Sequence, residues 1–388
     1  MTDPARPEII VNVFGRTDVG RTREHNEDSY VVADLTTNVA SLQPSVRRHV
    51  VGPRGTLFMV ADGMGGAAAG EIASQMATEI VLREMRTHWM PLEHPSPEEF
   101  ARCLKRAAQS ANTAIHSYAS SHQEYRGMGT TATIAGLLDD TLYLCQIGDS
   151  RGYLVRDGVA QQITKDQSLM QKLIEAGELT EEEAAQSERR NIILQALGPE
   201  ANIKVDLTAQ QIRKGDTLML CSDGLSGQVT KDDIAQVCTD EKDLVQACKR
   251  LIDLANEAGG PDNITVIIAR FEGAGLVDAA DEDEIGHRVF SLPEGGQMTP
   301  PMPMERIAEH PTAPMGSGSR STVPTERPLV EGPTDPMGDD GANAETLDAI
   351  DTSGLSPARK SRGMAIAIGL LVVLIAVAGW YAWRIFQA

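Results

Sequence analysis

Between residues 9 and 271 the apolar positions fall into short runs set between Gly and Asp turns, and their spacing switches between two periods. Compact apolar runs predict strands over residues 9–14, 56–61, 131–137, 141–147, 151–156, 217–221 and 264–271. Apolar residues at i, i+3 and i+4 predict amphipathic helices over 68–88, 97–120, 168–176 and 242–258. The consecutive strands 141–147 and 151–156, followed by an Asp157-Gly158 turn, read as an antiparallel meander. Strands in runs and helices in pairs indicate an α+β sandwich, because a doubly wound parallel sheet needs a helix between successive strands.

The pattern breaks at about residue 272. Residues 273–358 hold eleven of the chain's 20 prolines, and Phe290 is their only aromatic residue. So little apolar surface cannot offset the entropy of ordering, so this stretch is expected to be a disordered linker, roughly 50 Å from end to end as a flexible coil. Residues 363–385 are then almost wholly apolar, and a bilayer core takes about 20 such residues to cross. Trp380, Tyr381 and Trp383 stand at one end like an aromatic belt; Arg359, Lys360 and Arg362 precede the other end, and Arg384 alone follows the apolar run, which reaches Trp383. That asymmetry places the N-terminal side in the cytoplasm. The expected organisation is a globular domain over 1–272, an acidic Pro-rich linker over 273–358 and one transmembrane helix over 363–385, with the domain on the cytoplasmic face.

Charge sharpens this division. The net charge is -20, from 55 acidic and 35 basic residues, and residues 274–358 alone carry 16 Asp or Glu against 4 Arg. A polyanion without a basic, aromatic-interleaved patch repels nucleic acid, which argues against such a partner. The five cysteines, Cys103, Cys145, Cys221, Cys238 and Cys248, form no CxxC pair and several sit in apolar runs, as expected in a reducing compartment. The polar first seven residues lack the apolar segment of a secretion signal.

Candidate chemistry lies where apolar runs meet acids. Asn26-Glu27-Asp28, Ala61-Asp62-Gly63-Met64-Gly65-Gly66, Gly148-Asp149-Ser150-Arg151, Ser222-Asp223-Gly224 and Pro261-Asp262-Asn263-Ile264-Thr265 all fall at predicted strand ends or turns. Any one Asp-Gly is more often a turn than a ligand. A strand that ends in a carboxylate holds it on a rigid support, and several such ends meeting at one rim would make a hard-oxygen site for Mg²⁺ or Mn²⁺. The residues alone take the argument as far as a divalent-metal site.

Arg23-x-x-Asn26-Glu27-Asp28, the Asp62 motif, Met128-Gly129-Thr130-Thr131, the Asp149 motif, Ser222-Asp223-Gly224 and Asp262-Asn263-Ile264-Thr265 stand in an order that resembles the type 2C metal-dependent protein phosphatases in their bacterial form. The resemblance spans the whole globular part and leaves out the linker and the apolar helix. It implies a four-layer α-β-β-α sandwich, two antiparallel sheets flanked by helices, with metals at one end. It implies that Asp62 bridges two metals, Gly63 lends a carbonyl, and Asp223 and Asp262 complete the first ion's shell. Glu27 resembles a residue acting on the second ion through water, with Asp28 beside it, and Asp149 matches the ligand of a third, weaker ion of bacterial relatives. Arg23 matches the side chain that grips the substrate phosphate, where a guanidinium fork suits phosphate oxygens better than Lys. The implied activity is hydrolysis of phosphoserine and phosphothreonine in proteins by a hydroxide bridging two Mn²⁺ or Mg²⁺ ions. The implied partners are phosphoproteins and a membrane-associated serine/threonine kinase, and the implied place is a bacterial inner membrane. Met64 departs from the family's frequent His, leaving water as general acid, and Gln167 departs from the His of Asp-His-Ser in Asp166-Gln167-Ser168, at the start of the segment resembling the family's flap.

Two rivals come from other classes. Gly148-Asp149-Ser150-Arg151-Gly152 fits the nucleophile-elbow pattern of a serine hydrolase, but a predicted strand follows Ser150, and the later histidines, His287 and His310, both fall in the expected linker. The other is a catalytically inactive module that binds phosphoproteins at the membrane; such a module is expected to lack a bridging Asp, and Asp62, Asp223 and Asp262 are all present.

Overall fold

The computed structural model describes residues 7–65, 69–187, 189–280 and 283–292. The predicted span 363–385, residues 293–358 of the expected linker and Gly66 lie outside the described residues. Among the described residues no helix is long and apolar enough to cross a membrane.

The chain runs through β1 (Ile10–Asp18), β2 (Asp28–Asp34), β3 (Val39–Ala40), α1 (Pro44–Arg47), β4 (Arg48–Val50) and β5 (Thr56–Met64) into α2 (Ala69–Glu84), which a π-helical turn, Met85–Trp89, extends. After α3 (Pro97–Ser121) come β6 (Gly129–Thr130), β7 (Ala132–Leu138), β8 (Thr141–Ile147), β9 (Arg151–Arg156) and β10 (Val159–Gln162). Next are α4 (Leu169–Glu175), α5 (Glu181–Ala185), β11 (Asp206–Gln211), β12 (Thr217–Cys221), α6 (Asp223–Ser226), α7 (Lys231–Asp240), α8 (Leu244–Glu257) and β13 (Ile264–Glu272). The strands make two antiparallel sheets, ordered β10-β9-β12-β13-β1-β4 and β11-β8-β7-β5-β2-β3, with β6 beside β5.

Successive side chains of a strand point to opposite faces, and that alternation sorts the apolar residues into layers. In β13, Val266 and Ile268 pack toward α7 and α8, whereas Ile267, Ala269 and Phe271 face the other sheet. In β5, Leu57, Met59 and Ala61 pack under α2 and α3, whereas Phe58 and Val60 join the inter-sheet core. Both strands are buried on two faces, so their sequences read as unbroken apolar runs. The result is the expected pair of antiparallel sheets flanked by helices.

Local signals set the helix ends. Thr180 and Thr230 form capping boxes with Glu183 and Asp233, Ser96 and Ser168 cap α3 and α4, and Asp243 caps α8, so that helix starts two residues later than its periodicity suggests.

Two expectations are corrected. Strands β8 and β9 do not pair as a meander. β8 lies between β7 and β11, while β9 lies in the other sheet between β12 and β10. Gly148, at φ +95°, turns the chain from one sheet to the other, and the hairpin that does form is β9–β10 around Asp157 and Gly158, both at positive φ. Nor are the described residues that follow β13 without structure. Phe290 and Leu292 pack against the core under α2 and α3, and Asp283 is held by Arg213, so the described residues after β13 have fixed partners. One aromatic and one Leu anchor a segment whose composition reads as polar.

Candidate active site

Antiparallel register brings the acidic motifs to one rim. Asp28 opens β2 directly opposite Asp62 near the end of β5. In the other sheet Cys221, the last residue of β12, faces both Val266 of β13 and Arg151 of β9, so Asp223, Asp262 and Asp149 emerge at the same edge. The two rims are tied together at Asp28, whose Oδ2 accepts hydrogen bonds from Ser222 Oγ at 2.8 Å and Thr265 Oγ1 at 2.6 Å across the sandwich.

The backbone around the acids is closely fitted. A Cβ on Gly63 would lie 2.2 Å from the Gly70 carbonyl oxygen and 2.4 Å from that of Glu27, and one on Gly224 would lie 2.0 Å from that of Asn263. Only glycine permits these approaches, which draw β2, β5, α2, α6 and the start of β13 together. Thr131 Oγ1 accepts from the Asp62 amide at 2.9 Å, and the Asp62 carbonyl accepts from the Thr131 amide at 2.8 Å. Asn263 works as a three-way brace: its Oδ1 accepts from the Glu27 amide, and its Nδ2 donates to the carbonyls of Val19 and His25. His25 itself is an exposed turn residue.

Crowded carboxylates resist ionisation. Burial pushes Asp62 well above the usual carboxylate range, and repulsion from Asp28, Asp223, Asp149 and Asp262 adds to it. Burial likewise raises Asp28, partly offset by Thr265 and Ser222, and takes Asp149 up to about 7 with help from Asp223 and Asp166. Asp223 is raised by burial and by Asp262, and Glu27 by burial. Two cations lie nearby: Arg151 partly offsets the rise of Asp149 and Asp223, and Arg23 Nη2 donates to Asp262 Oδ2 at 2.8 Å, which strengthens its hold on its proton.

The rim fits a hard divalent cation. Asp28 Oδ1 and Asp149 Oδ1 are buried without hydrogen-bond partners, and a buried acceptor left unpaired costs about 1–3 kcal/mol unless something occupies it. All the charged donors are carboxylate oxygens, the ligand type that Mg²⁺ and Mn²⁺ prefer. Among the described residues no three His, Cys, Asp or Glu side chains stand ready-made to grip an ion.

The structure brings Glu27, Asp28, Asp62, Gly63, Asp149, Asp223, Asp262 and Arg23 to this rim. The sequence reading missed their supports: Ser222, Thr265, Thr131 and Asn263 were visible as motif residues, but their bracing roles depend on long-range pairing. It also missed Asp166, which binds the Arg151 guanidinium through two oxygens, with Nη2 to Oδ2 at 2.7 Å. Gln167 now has a role. Its Oε1 accepts from the amide of Gly148 at 3.0 Å, one residue before Asp149, and from Gln195 Nε2 at 2.8 Å. Ser150 is buried, shares a 2.7 Å hydrogen bond with Thr131 Oγ1 and leads straight into β9, so it is no nucleophile elbow. His287, expected in a disordered linker, instead contacts Asp206.

The family described as Protein phosphatase 2C matches residues 42–265. The chain is 37% identical over 253 residues to the serine/threonine phosphatase stp of Listeria monocytogenes, covering 65% of this chain and 93% of that one. It is 36% identical over 266 residues to the serine/threonine protein phosphatase PstP of Mycobacterium tuberculosis, covering 68% of this chain and 46% of that one. The solved catalytic domain of a serine/threonine protein phosphatase PstP, in complex with two manganese ions, superposes with a TM-score of 0.56 at 35% identity, covering 68% of this chain and 99% of that one.

Proposed function

The chain belongs to the protein phosphatase 2C family and is a metal-dependent serine/threonine phosphatase, and we propose that it acts at the rim where Asp62 meets Asp28, Asp149, Asp223 and Asp262, from the cytoplasmic face of a membrane. The observation that carries the site assignment is the pair of orphaned, buried oxygens, Asp28 Oδ1 and Asp149 Oδ1, within a cluster of like charges. When bound, two divalent ions would supply an activated water and neutralise the phosphate's charge. Asp62, Gly63, Asp223 and Asp262 would hold the ions directly, Glu27 and Asp28 through water, and Asp149 would serve a third.

The chain's own residues do the rest. Arg23 is exposed beside the cluster and its guanidinium lies on Asp262, placed to move onto a phosphate oxygen once Asp262 is engaged elsewhere. A phosphate dianion alone is repelled by this rim, so binding needs both the ions and Arg23. Met64 offers no proton, which leaves water to protonate the departing serine or threonine oxygen.

The test is hydrolysis of a phosphothreonine peptide by the full chain in detergent with Mn²⁺, comparing wild type with Arg23→Ala and Arg23→Lys. Charge-assisted hydrogen bonds of about 1.5–3 kcal/mol predict a loss in kcat/KM of about 10- to 100-fold for Ala, with Lys in between. Unchanged kcat/KM in both variants would remove Arg23 from the phosphate site, and no hydrolysis by any form would favour a module that only binds phosphoproteins.

The membrane part rests on the apolar run 363–385 and its flanking Arg359, Lys360 and Arg362. Confinement beside the bilayer raises effective concentration toward membrane-bound phosphoproteins, a membrane-associated serine/threonine kinase among them. Ending the chain at residue 292 is therefore expected to slow dephosphorylation of a membrane-bound substrate in reconstituted vesicles but not of a soluble phosphopeptide. An equal loss on both substrates, or no loss on either, would contradict the tether.

A further inference from the structure

Residues 283–292 lie beyond the part matched by the family, yet they are fastened to the domain at several points. Arg213 donates to both oxygens of Asp283, each at 2.6 Å, and Arg156 Nη1 donates to the Asp283 carbonyl at 2.8 Å. His287 Nε2 meets Asp206 Oδ2 at 2.6 Å. Thr208 bridges antiparallel to Val289, with the Ala209 amide donating to the Arg288 carbonyl and the Phe290 amide to the Leu207 carbonyl. The segment therefore covers the otherwise unpaired edge of β11. Phe290 seats edge-on against Tyr143, centroids 5.2 Å apart.

From that edge a continuous set of contacts leads to the acidic rim. Asp206 is the first residue of β11, two positions after Lys204, whose amide and carbonyl grip the Gln195 side chain at 2.8 and 2.6 Å. Gln195 donates to Gln167, and Gln167 holds the Gly148 amide and donates to the Gln146 carbonyl. Asp149 follows at once. His287 also lines a pocket of about 420 Å³ with Lys165, Gln167, Lys172 and Glu175, so it faces the base of the α4 segment as well.

We propose that residues 283–292 are a strap that positions the Asp149 loop and the base of the α4 segment, with His287 as its positioning residue. This rests on the phosphatase reading of the rim. The strap acts, through Gln195 and Gln167, on substrate affinity. His287 and Phe290 touch no reacting atom; they act through the register of β11.

The full chain in detergent is compared with His287→Ala, His287→Lys and Phe290→Ala, by steady-state kinetics on a phosphothreonine peptide with Mn²⁺ and by amide hydrogen exchange. Coupling of the size carried by such contacts predicts that His287→Ala and Phe290→Ala raise KM about 3- to 10-fold with kcat within about 2-fold, and quicken exchange at residues 146–150 and 193–206. His287→Lys, which keeps a nitrogen donor for Asp206, is expected to hold both near the wild-type values. A merely structural strap would lower the melting temperature without that split or that rescue. Faster exchange at 287–290 in either Ala variant, with KM and the exchange at 146–150 unchanged, overturns the proposal. If the wild type hydrolyses nothing, the phosphatase reading fails by itself. The exchange at 146–150 then decides the strap: faster supports it and unchanged overturns it.

Discussion

Asp62→Asn is expected to reduce phosphate release by about 10³-fold or more while leaving the metal-free fold as stable as the wild type, or more so. The two halves of this result have one cause. Asp62 sits among Asp28, Asp223, Asp149 and Asp262, and burial and their charges hold it well above the usual carboxylate range. An amide of the same shape keeps the packing and cannot be driven to ionise among those carboxylates, so the melting temperature without metal stays level or rises. With cations present the sign reverses. A carboxylate that holds two ions contributes several kcal/mol to charge neutralisation in the transition state, and each 1.4 kcal/mol is tenfold in rate. The wild type should also gain melting temperature on adding Mn²⁺, because a ligand that binds only the folded form stabilises it. The variant should gain much less. A variant that loses activity and also unfolds earlier without metal would show that Asp62 supports the fold rather than the chemistry.

The second large effect is on pH. Asp149 has a folded-state pKa of about 7, and Asp28 and Asp62 are also raised, whereas an unfolded Asp titrates near 4. Such groups carry more protons folded than unfolded, so their contribution to stability is full below about pH 4 and is lost as pH rises through the folded value, about 7 for Asp149 and Asp28. Each changes stability by up to about 1.4 kcal/mol per pH unit in that window. Groups with lowered pKa values, Asp283 held by Arg213 and Glu175 held by Lys165, have the opposite sign and lose stability in acid. Without metal the protein should therefore melt highest in mildly acidic buffer and lose several degrees by pH 8. Mn²⁺ displaces the protons that the cluster holds, so its stabilising effect should be small near pH 5.5 and large near pH 7.5. Thermal melts with EDTA or Mn²⁺ at these pH values check this, and an equal gain at every pH would mean the ions bind elsewhere.

The sequence made the double-buried strands and the acidic rim readable for one reason. β5, β12 and β13 are apolar on both faces, so their runs are unbroken and each Asp at an end stands out. What it did not show lies where that signal is weak. β11, Asp-Leu-Thr-Ala-Gln-Gln, is half polar because it sits near the sheet's edge and its side chains serve as hydrogen-bond partners there. β2 begins and ends in Asp, and α7 is short, so neither carries a clear period. The β8–β9 pairing failed because proximity in sequence says nothing about which sheet a strand joins; Gly148 at positive φ decides that. Composition misplaced the domain's end because Phe290 and Leu292 anchor a segment whose other residues are mostly polar. The supports of the site were illegible for a similar reason: Asn263, Thr265 and Ser222 act on residues more than 190 positions away from at least one of them, as with Ser222 and Asp28 at a separation of 194.

The most direct test of the central claim, that the rim around Asp62 is a two-ion centre, is anomalous diffraction from crystals of the protein grown with Mn²⁺. Two strong peaks beside the Asp62 carboxylate, with Asp223 and Asp262 near one of them and the Gly63 carbonyl near one, are the predicted result. Hydrolysis of a phosphothreonine peptide by the same preparation, together with crystals in which no ion lies within reach of Asp62, would contradict it.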